Sequence, residues 1–451
     1  MTTINPYNFV PLGKSVARSN GYPKRHRFYE DRYSGVLMCT LEVLSPLISI
    51  DQREDCSYTL KDTDGTNLKI KTGKKRGEDY KNIKVFKFLK NSQGLAILQG
   101  ASIKGMIRSI YEAITDSCLA LANTNGYEGL GDYLNGNCNR LDALCPACQL
   151  FGVIEGDNIH CQGRVSFSDA VLVKESLVQQ RYFLKELSSP KPHHHAIYGK
   201  SGTPGGPIAG RKFYYHHGKN QNFLVKECQS NDRSIAIDEY APIGGEFSFQ
   251  VQVENLDKDE LGKLLLAIEL DDGLGHKIGL GKAIGLGSCR ITIDRLKSSI
   301  PQAINRYKNW TAGVATDWYS CKMDRKVLPE SLIEVLRRNK AENGNIMYPD
   351  YRNYPKDPID ALGVFGGNAT KGGRPSWPDE VAQASPQESP PKIKLGEDAA
   401  WLKERYEDKL VFVNTQGKEI VRSRKGYQGK PGLLEVGKWF ILSGTNSSRR
   451  A

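Results

Sequence analysis

Three cysteines, Cys138, Cys145 and Cys148, fall within eleven residues and end in a Cys-x2-Cys pair. Thiolates at this spacing are soft ligands that pre-close a tetrahedral site, and Zn²⁺ takes four such ligands. No Cys or His lies between residues 119 and 137. The fourth ligand must therefore come from farther away. Cys118 is the first choice, with His160 or Cys161 as alternatives. The ion's role would be structural, bracing a long loop that has little core. Left without metal, the same residues would be free, partly buried thiols.

Two further stretches carry anion chemistry. Ser102-Ile103-Lys104-Gly105-Met106-Ile107-Arg108 opens a helix. Ser102 is expected to cap it, and the free N–H groups of its first turn, with Lys104 and Arg108, would form an anion site. Gly105 would let a backbone come close. Gly275 to Gly287 is glycine-rich and includes Lys277 and Lys282. Alternating glycines free successive N–H groups for phosphates, and the two lysines would supply counter-charge. The Gly-x4-Gly-Lys-Ser/Thr spacing of a P-loop is absent.

The elements that must position these residues are legible from periodicity. Val36 to Ile50 reads as a strand, and Leu95 to Leu98 as a short one before the helix. Ile103, Ile107, Ile110 and Ile114, with Met106, recur at three- and four-residue spacing and form one face. Arg164 to Leu172, Phe247 to Val253 and Arg290 to Ile293 read as strands, and Asp259 to Leu270 as an amphipathic helix. Strands separated by helices predict an α+β fold, built on the split β-α-β unit of ferredoxin-like (RRM-like) cores.

Lys and Arg outnumber Asp and Glu by 63 to 51, a net charge of +12. That balance favours polyanionic partners, because neutralising phosphates releases counterions. The 21 Tyr and 14 Phe add faces on which unpaired bases can stack. Ten cysteines in 451 residues are too dilute for a disulfide scaffold. No apolar run reaches the roughly 20 residues of a membrane span, and Met1 to Pro6 lacks a secretory pattern. A cytoplasmic protein without a membrane partner is the expectation.

In order along the chain, the helix start at Ser102, Cys145-Pro146-Ala147-Cys148-Gln149-Leu150-Phe151-Gly152, Gly163-Arg164-Val165-Ser166-Phe167-Ser168-Asp169-Ala170 and the glycine-rich loop form a set. This set resembles the RAMP superfamily, and specifically the type III CRISPR proteins that line guide RNA. The resemblance covers roughly residues 35–295. Pro6-Tyr7-Asn8-Phe9-Val10-Pro11-Leu12 and Gly210-Arg211-Lys212-Phe213-Tyr214-Tyr215-His216-His217 look like one subfamily.

The resemblance implies an antiviral ribonucleoprotein subunit that binds guide (crRNA) and target RNA beside other subunits. The glycine-rich loop would then touch the guide backbone. The excursion at 178–220, with Lys200, Arg211, Lys212, Phe213 and Tyr214, would be a thumb that binds RNA and wedges between bases. An acid after the first strand, Asp51 or Asp55, would hold Mg²⁺ or Mn²⁺ for target RNA cleavage. The glycines usual at that point are replaced by Ile48-Ser49-Ile50, a departure that bears on cleavage. The alternative is a metal-independent endoribonuclease that processes precursor guide RNA with His194 or His216 as general acid or base.

The expected organisation is a basic segment at 1–35 and a RAMP domain at 36–299, with a zinc loop at 118–161 and the thumb at 178–220. A helical extension at 300–362 and a Pro/Gly-rich linker at 363–397 follow, and a small module at 398–451 ends the chain.

Overall fold

The computed structural model describes residues 6–18, 21, 29, 32–51, 57–60, 69–71, 83–119, 133, 138, 140–155, 159–184, 187, 208–217, 224–225, 227–229, 235–300, 318–338, 369–370, 374–375 and five C-terminal strands from 399 to 450. Two units result, Met1–Ser376 and Trp377–Ala451.

The first unit is built on one antiparallel sheet. Its strands are β2 (Tyr33–Val43), β5 (Ile97–Leu98), β8 (Val165–Phe167), β9 (Ala170–Lys174), β14 (Glu246–Leu256), β15 (His276–Lys277) and β16 (Ser288–Ser299). Alternation sets their faces: Leu37, Cys39, Leu41 and Val43 of β2, and Phe247, Phe249, Val251 and Val253 of β14, are buried. The order is β15-β16-β2-β14-β9-β5, with β8 also on β14. Two helices, α1 (Gly100–Ile114) and α3 (Lys258–Ile268), connect these strands and pack on each other. Fourth, first, third and second strands side by side, with a helix after the first and third, make the ferredoxin-like α+β core.

The helix expected to be capped by Ser102 begins three residues earlier. Its N-cap is Gln99, and the Gly100 N–H donates to Asp169 Oδ1 at 2.8 Å. Ser102 is exposed and caps nothing; its own N–H bonds to Gln99 O at 2.9 Å. The reason is steric. A Cβ on Gly100 would sit 2.3 Å from Phe167 O, so only glycine lets the helix start against that strand. The isoleucine face holds, with Ile103, Ile107 and Ile110 buried. Helix α3 starts with a capping box in which Asp257 and Glu260 satisfy each other's backbone N–H. Glu260 also takes the buried guanidinium of Arg164, with Nη1 at 2.8 Å from Oε2. The Gly163 to Ala170 motif therefore ties down the starts of both helices.

Insertions form a second sheet of β3 (Ser57–Leu60), β4 (Ile83–Phe86), β10 (Val178–Leu184), β12 (Leu224–Val225) and β13 (Ile235–Tyr240), in the order β12-β10-β13-β4-β3. The two subfamily stretches meet each other. Strand β1 (Tyr7–Val10) pairs antiparallel with β11 (Arg211–Tyr214), Tyr7 opposite Tyr214 and Val10 opposite Arg211. A short helix α2 (Pro146–Phe151) leads into a hairpin of β6 (Gly152–Glu155) and β7 (Ile159–Gln162). Of the expected thumb, 178–184 lies in the second sheet and 211–214 in the β1 pair, while Lys200 and His193 to His195 fall outside the described residues.

Past residue 300, helix α4 (Glu330–Leu336) packs on β1 and β11. Leu336 O there accepts the Gly275 N–H at 2.9 Å. The linker expected at 363–397 lies mostly outside the described residues. The C-terminal unit is an antiparallel sheet of β17 (Ala399–Arg405), β18 (Lys409–Asn414), β19 (Glu419–Ser423), β20 (Trp439–Leu442) and β21 (Ser448–Arg450), ordered β19-β18-β17-β20-β21. Among the described residues, no helix is long and apolar enough to cross a membrane.

Candidate functional site

A cleft of about 1100 Å³ opens between α1, β11, the glycine-rich loop and the chain after β2. Seven residues singled out from the sequence line it: Asp51, Ser102, Lys212, Phe213, Tyr214, Lys277 and Lys282. The ferredoxin-like topology accounts for this meeting. The end of β2 and the loop before β16 lie on adjacent central strands, and the N-terminal half of α1 faces both.

Asp51 is 3% exposed, and its N–H donates to Lys87 O at 3.1 Å. Asp55 lies outside the described residues. Ile48, at the departure from the family's glycines, is buried against Leu184, Ile237, Ile284 and Leu286. On α1, Ser102 and Gly105 are exposed toward the cleft, and a Cβ on Gly105 would meet nothing within 4 Å. Lys104 is half-buried and does not line the cleft; burial, then Arg108, lowers its ammonium's pKa.

The cleft's lysines differ in what holds them. Lys212 Nζ sits 3.7 Å from the Tyr7 ring centroid and 5.1 Å from that of Tyr214, a cation–π clasp. Burial pushes its pKa down to about 8. Lys277 Nζ donates to Gly285 O and Leu286 O, each at 3.0 Å, and burial pushes it down to about 7. Lys282 Nζ donates to Gly279 O at 3.0 Å, and burial lowers it too.

The glycine-rich loop departs from the expected phosphate cradle. The N–H groups of Ile278, Leu280, Ile284, Gly285, Leu286 and Gly287 donate to protein carbonyls. Its glycines serve close packing at positive φ. A Cβ on Gly279 would lie 2.4 Å from Ile48 O, and one on Gly287 would lie 1.8 Å from Ile278 O.

Two arginines expected at RNA turn inward instead. Arg108 bonds Glu112 Oε1 at 2.8 Å, Gly152 O at 3.1 Å and Cys148 Sγ at 3.6 Å. Arg211 is buried on Glu112 Oε2 at 3.1 Å, Cys118 O at 3.4 Å and Ser117 O. Both lie at the cysteine group and share the buried carboxylate of Glu112, which demands cationic partners.

The cleft also holds two residues to which the sequence assigned no role, Lys90 and, within the glycine-rich stretch, His276. Lys90 lines it and pairs with Glu239 at 2.7 Å. His276 lines it too, with Nε2 2.9 Å from Ile268 O and a buried Nδ1 that has no hydrogen-bond partner. No local pattern distinguishes Lys90 from an ordinary surface residue, and the glycine motif marks the stretch around His276 without giving the imidazole a role. His216 is 3% exposed, with Nδ1 3.0 Å from Ser288 Oγ, and burial then Lys277 hold its pKa well below the usual range. His216 is therefore enclosed and is not part of the cleft's lining. His194 lies outside the described residues.

Cys118, Cys138, Cys145 and Cys148 are all buried, and their sulfurs lie within 4.8 Å of one another, an arrangement that could hold a metal ion. Local structure builds the group. Cys145 Sγ caps α2 by accepting the Cys148 N–H at 3.4 Å, and Pro146 takes the first helical position. Ser117 Oγ accepts the Ala147 N–H at 3.0 Å, drawing Cys118 to the knuckle. Crowding divides the protons unequally: hydrogen bonds from Cys118, Cys138 and Cys148 hold Cys145 far below the ordinary thiol range. Cys161 is buried elsewhere, with Sγ 3.8 Å from Gln162 O.

No curated protein matches the chain. Solved structures that it resembles include Csc2 of Thermofilum pendens, at 11% identity over 69% of this chain and 76% of that one, TM-score 0.29. A Type IV-B CRISPR complex chain matches at 15% identity over 61% and 99%, TM-score 0.27. A chain of the Type III-B Cmr-beta complex bound to cognate target RNA matches at 10% identity over 58% and 98%, TM-score 0.24. The RAMP superfamily model matches residues 59–290, just over half of the sequence, and that span holds all four core motifs whole. The chain belongs to the RAMP superfamily.

Proposed function

We propose that this chain is a guide-RNA-binding subunit of a type III CRISPR effector complex. It would hold the sugar-phosphate backbone along the cleft, while sequence is read by guide–target pairing. The carrying observation is the convergence of Ser102, Lys212, Tyr214, Lys277 and Lys282 on one cleft from three separate parts of the chain. The exposed Ser102 and the lysine ammoniums suit phosphate, and Phe213 and Tyr214 offer ring faces.

The test is RNA binding by purified protein across a salt series. Lys212→Ala with Lys282→Ala should weaken binding about equally for unrelated sequences. It should also flatten the log–log salt slope by about 0.7 per lysine lost, the single-strand value. Loss confined to one sequence, or an unchanged slope, would refute the backbone grip.

For the cysteine centre we propose Zn²⁺, since four thiolates suit a tetrahedral, redox-inert ion. Purified protein should carry about one zinc, and Cys145→Ser with Cys148→Ser should lose both metal and soluble yield. Metal-free wild-type protein that refuses added zinc would end this reading.

A further inference from the structure

We infer that Arg18 and Arg108 complete the cysteine centre as a charge-neutral unit, and that the buried chain Arg108–Glu112–Arg211 passes its geometry to the strand carrying Lys212 and Tyr214. This rests on the reading of the four cysteines as a zinc site.

Four thiolates around a divalent ion leave two negative charges in a fully buried place. Uncompensated buried charge is costly, so partners must be close. Two guanidiniums supply them. Arg18 Nη1 lies 3.0 Å from Cys138 Sγ, and Arg108 Nη2 lies 3.6 Å from Cys148 Sγ. The two come from different parts of the chain, one from the segment after β1 and the other from α1.

Beyond Arg108 the network continues without a break. Its Nε bonds Glu112 Oε1 at 2.8 Å, and Glu112 Oε2 accepts from Arg211 Nη1 at 3.1 Å. Arg211 returns to the centre through Cys118 O at 3.4 Å. It is also the first residue of β11, so the next residue in the chain is Lys212 in the cleft. With the charge of Arg108 set against the cysteine centre, Glu112 and Arg211 balance each other, and each member is fixed by at least two bonds. The cysteine centre and the cleft thus share one rigid strand.

The experiment uses the full chain and zinc itself. Competition against a metallochromic chelator at fixed pH should show Arg108→Gln binding zinc 10- to 100-fold more weakly, the size expected for outer partners of a metal site. Arg108→Lys should recover part of the loss, because the charge remains. Where Arg108→Gln fails to fold, Arg18→Gln, on a loop, gives the same reading. Hydrogen exchange of the amides at 211–214 is the second readout. Stripping zinc, or Glu112→Gln with zinc retained, should raise exchange there. Wild-type affinity in both arginine variants, or unchanged exchange on stripping, would overturn the inference. Wild-type protein that binds no zinc would instead overturn the metal reading beneath it.

Discussion

Asp51 is the one carboxylate among the described residues that line the cleft, which it shares with four lysines, Lys90, Lys212, Lys277 and Lys282. If the subunit cuts target RNA, a ribose 2′-OH attacks the adjacent phosphate, the bond to the 5′ oxygen breaks, and a cyclic phosphate remains upstream. A single carboxylate can hold Mg²⁺ or Mn²⁺ together with substrate oxygens. Asp51→Ala should then abolish the cut while leaving target binding intact, as gel analysis of end-labelled RNA would show. Asp55→Ala is the control, and unchanged products from both variants would mark a purely structural subunit. At this scale the sequence identified residue types well and partners poorly. Lys212 and Arg211 are neighbours of similar charge, yet one lines the cleft and the other is buried on Glu112. Charge says what a side chain can bind; only the fold decides which anion it meets.

Glycines show the same contrast between elements. Gly279 and Gly287 sit at positive φ with backbone where a Cβ would go, so Gly287→Ala should destabilise by ~1–2 kcal/mol from left-handed strain, with the clash against Ile278 O adding to it. Gly105 is an exposed helix-interior glycine with open space at its Cβ, so Gly105→Ala should gain about 0.5–1 kcal/mol. Denaturant midpoints distinguish them, and a loss at Gly105 would contradict its placement. The strands and helices of the core were legible because their burial follows period two or period 3.6. Helix α1's start was not. Its capping acid, Asp169, lies 69 residues away, and a glycine held by another strand leaves no capping motif in the local sequence. Likewise, the pairing of β1 with β11 joins residues about two hundred positions apart, and each strand shows only four residues. The second sheet, built from scattered insertions, had no periodic signal long enough to read.

Burial of titratable groups behind the cleft gives the whole molecule a characteristic response to acid. His216, His217 and His276 each have a buried ring nitrogen without a hydrogen-bond partner. Burial pushes His276 from 6.5 down to about 4, and burial then Lys277 pushes His217 to about 3. The folded chain therefore refuses protons that the unfolded chain accepts once the pH drops below 6.5. A histidine with a depressed folded pKa stabilises the fold above its unfolded pKa, and that stability is lost as the pH falls toward the folded value. Stability should accordingly decline from pH 6.5 downward, continuing to about pH 4 for His276. Between pH 7 and 5, where few other side chains titrate, a fully buried histidine should account for on the order of 2 kcal/mol. Denaturant titrations at half-unit pH steps would measure the slope. His276→Gln should reduce it by that residue's share, because an amide can keep the bond to Ile268 O without titrating. A stability flat from pH 7 to pH 5 would mean that these imidazoles reach solvent and that the wall behind the cleft is open.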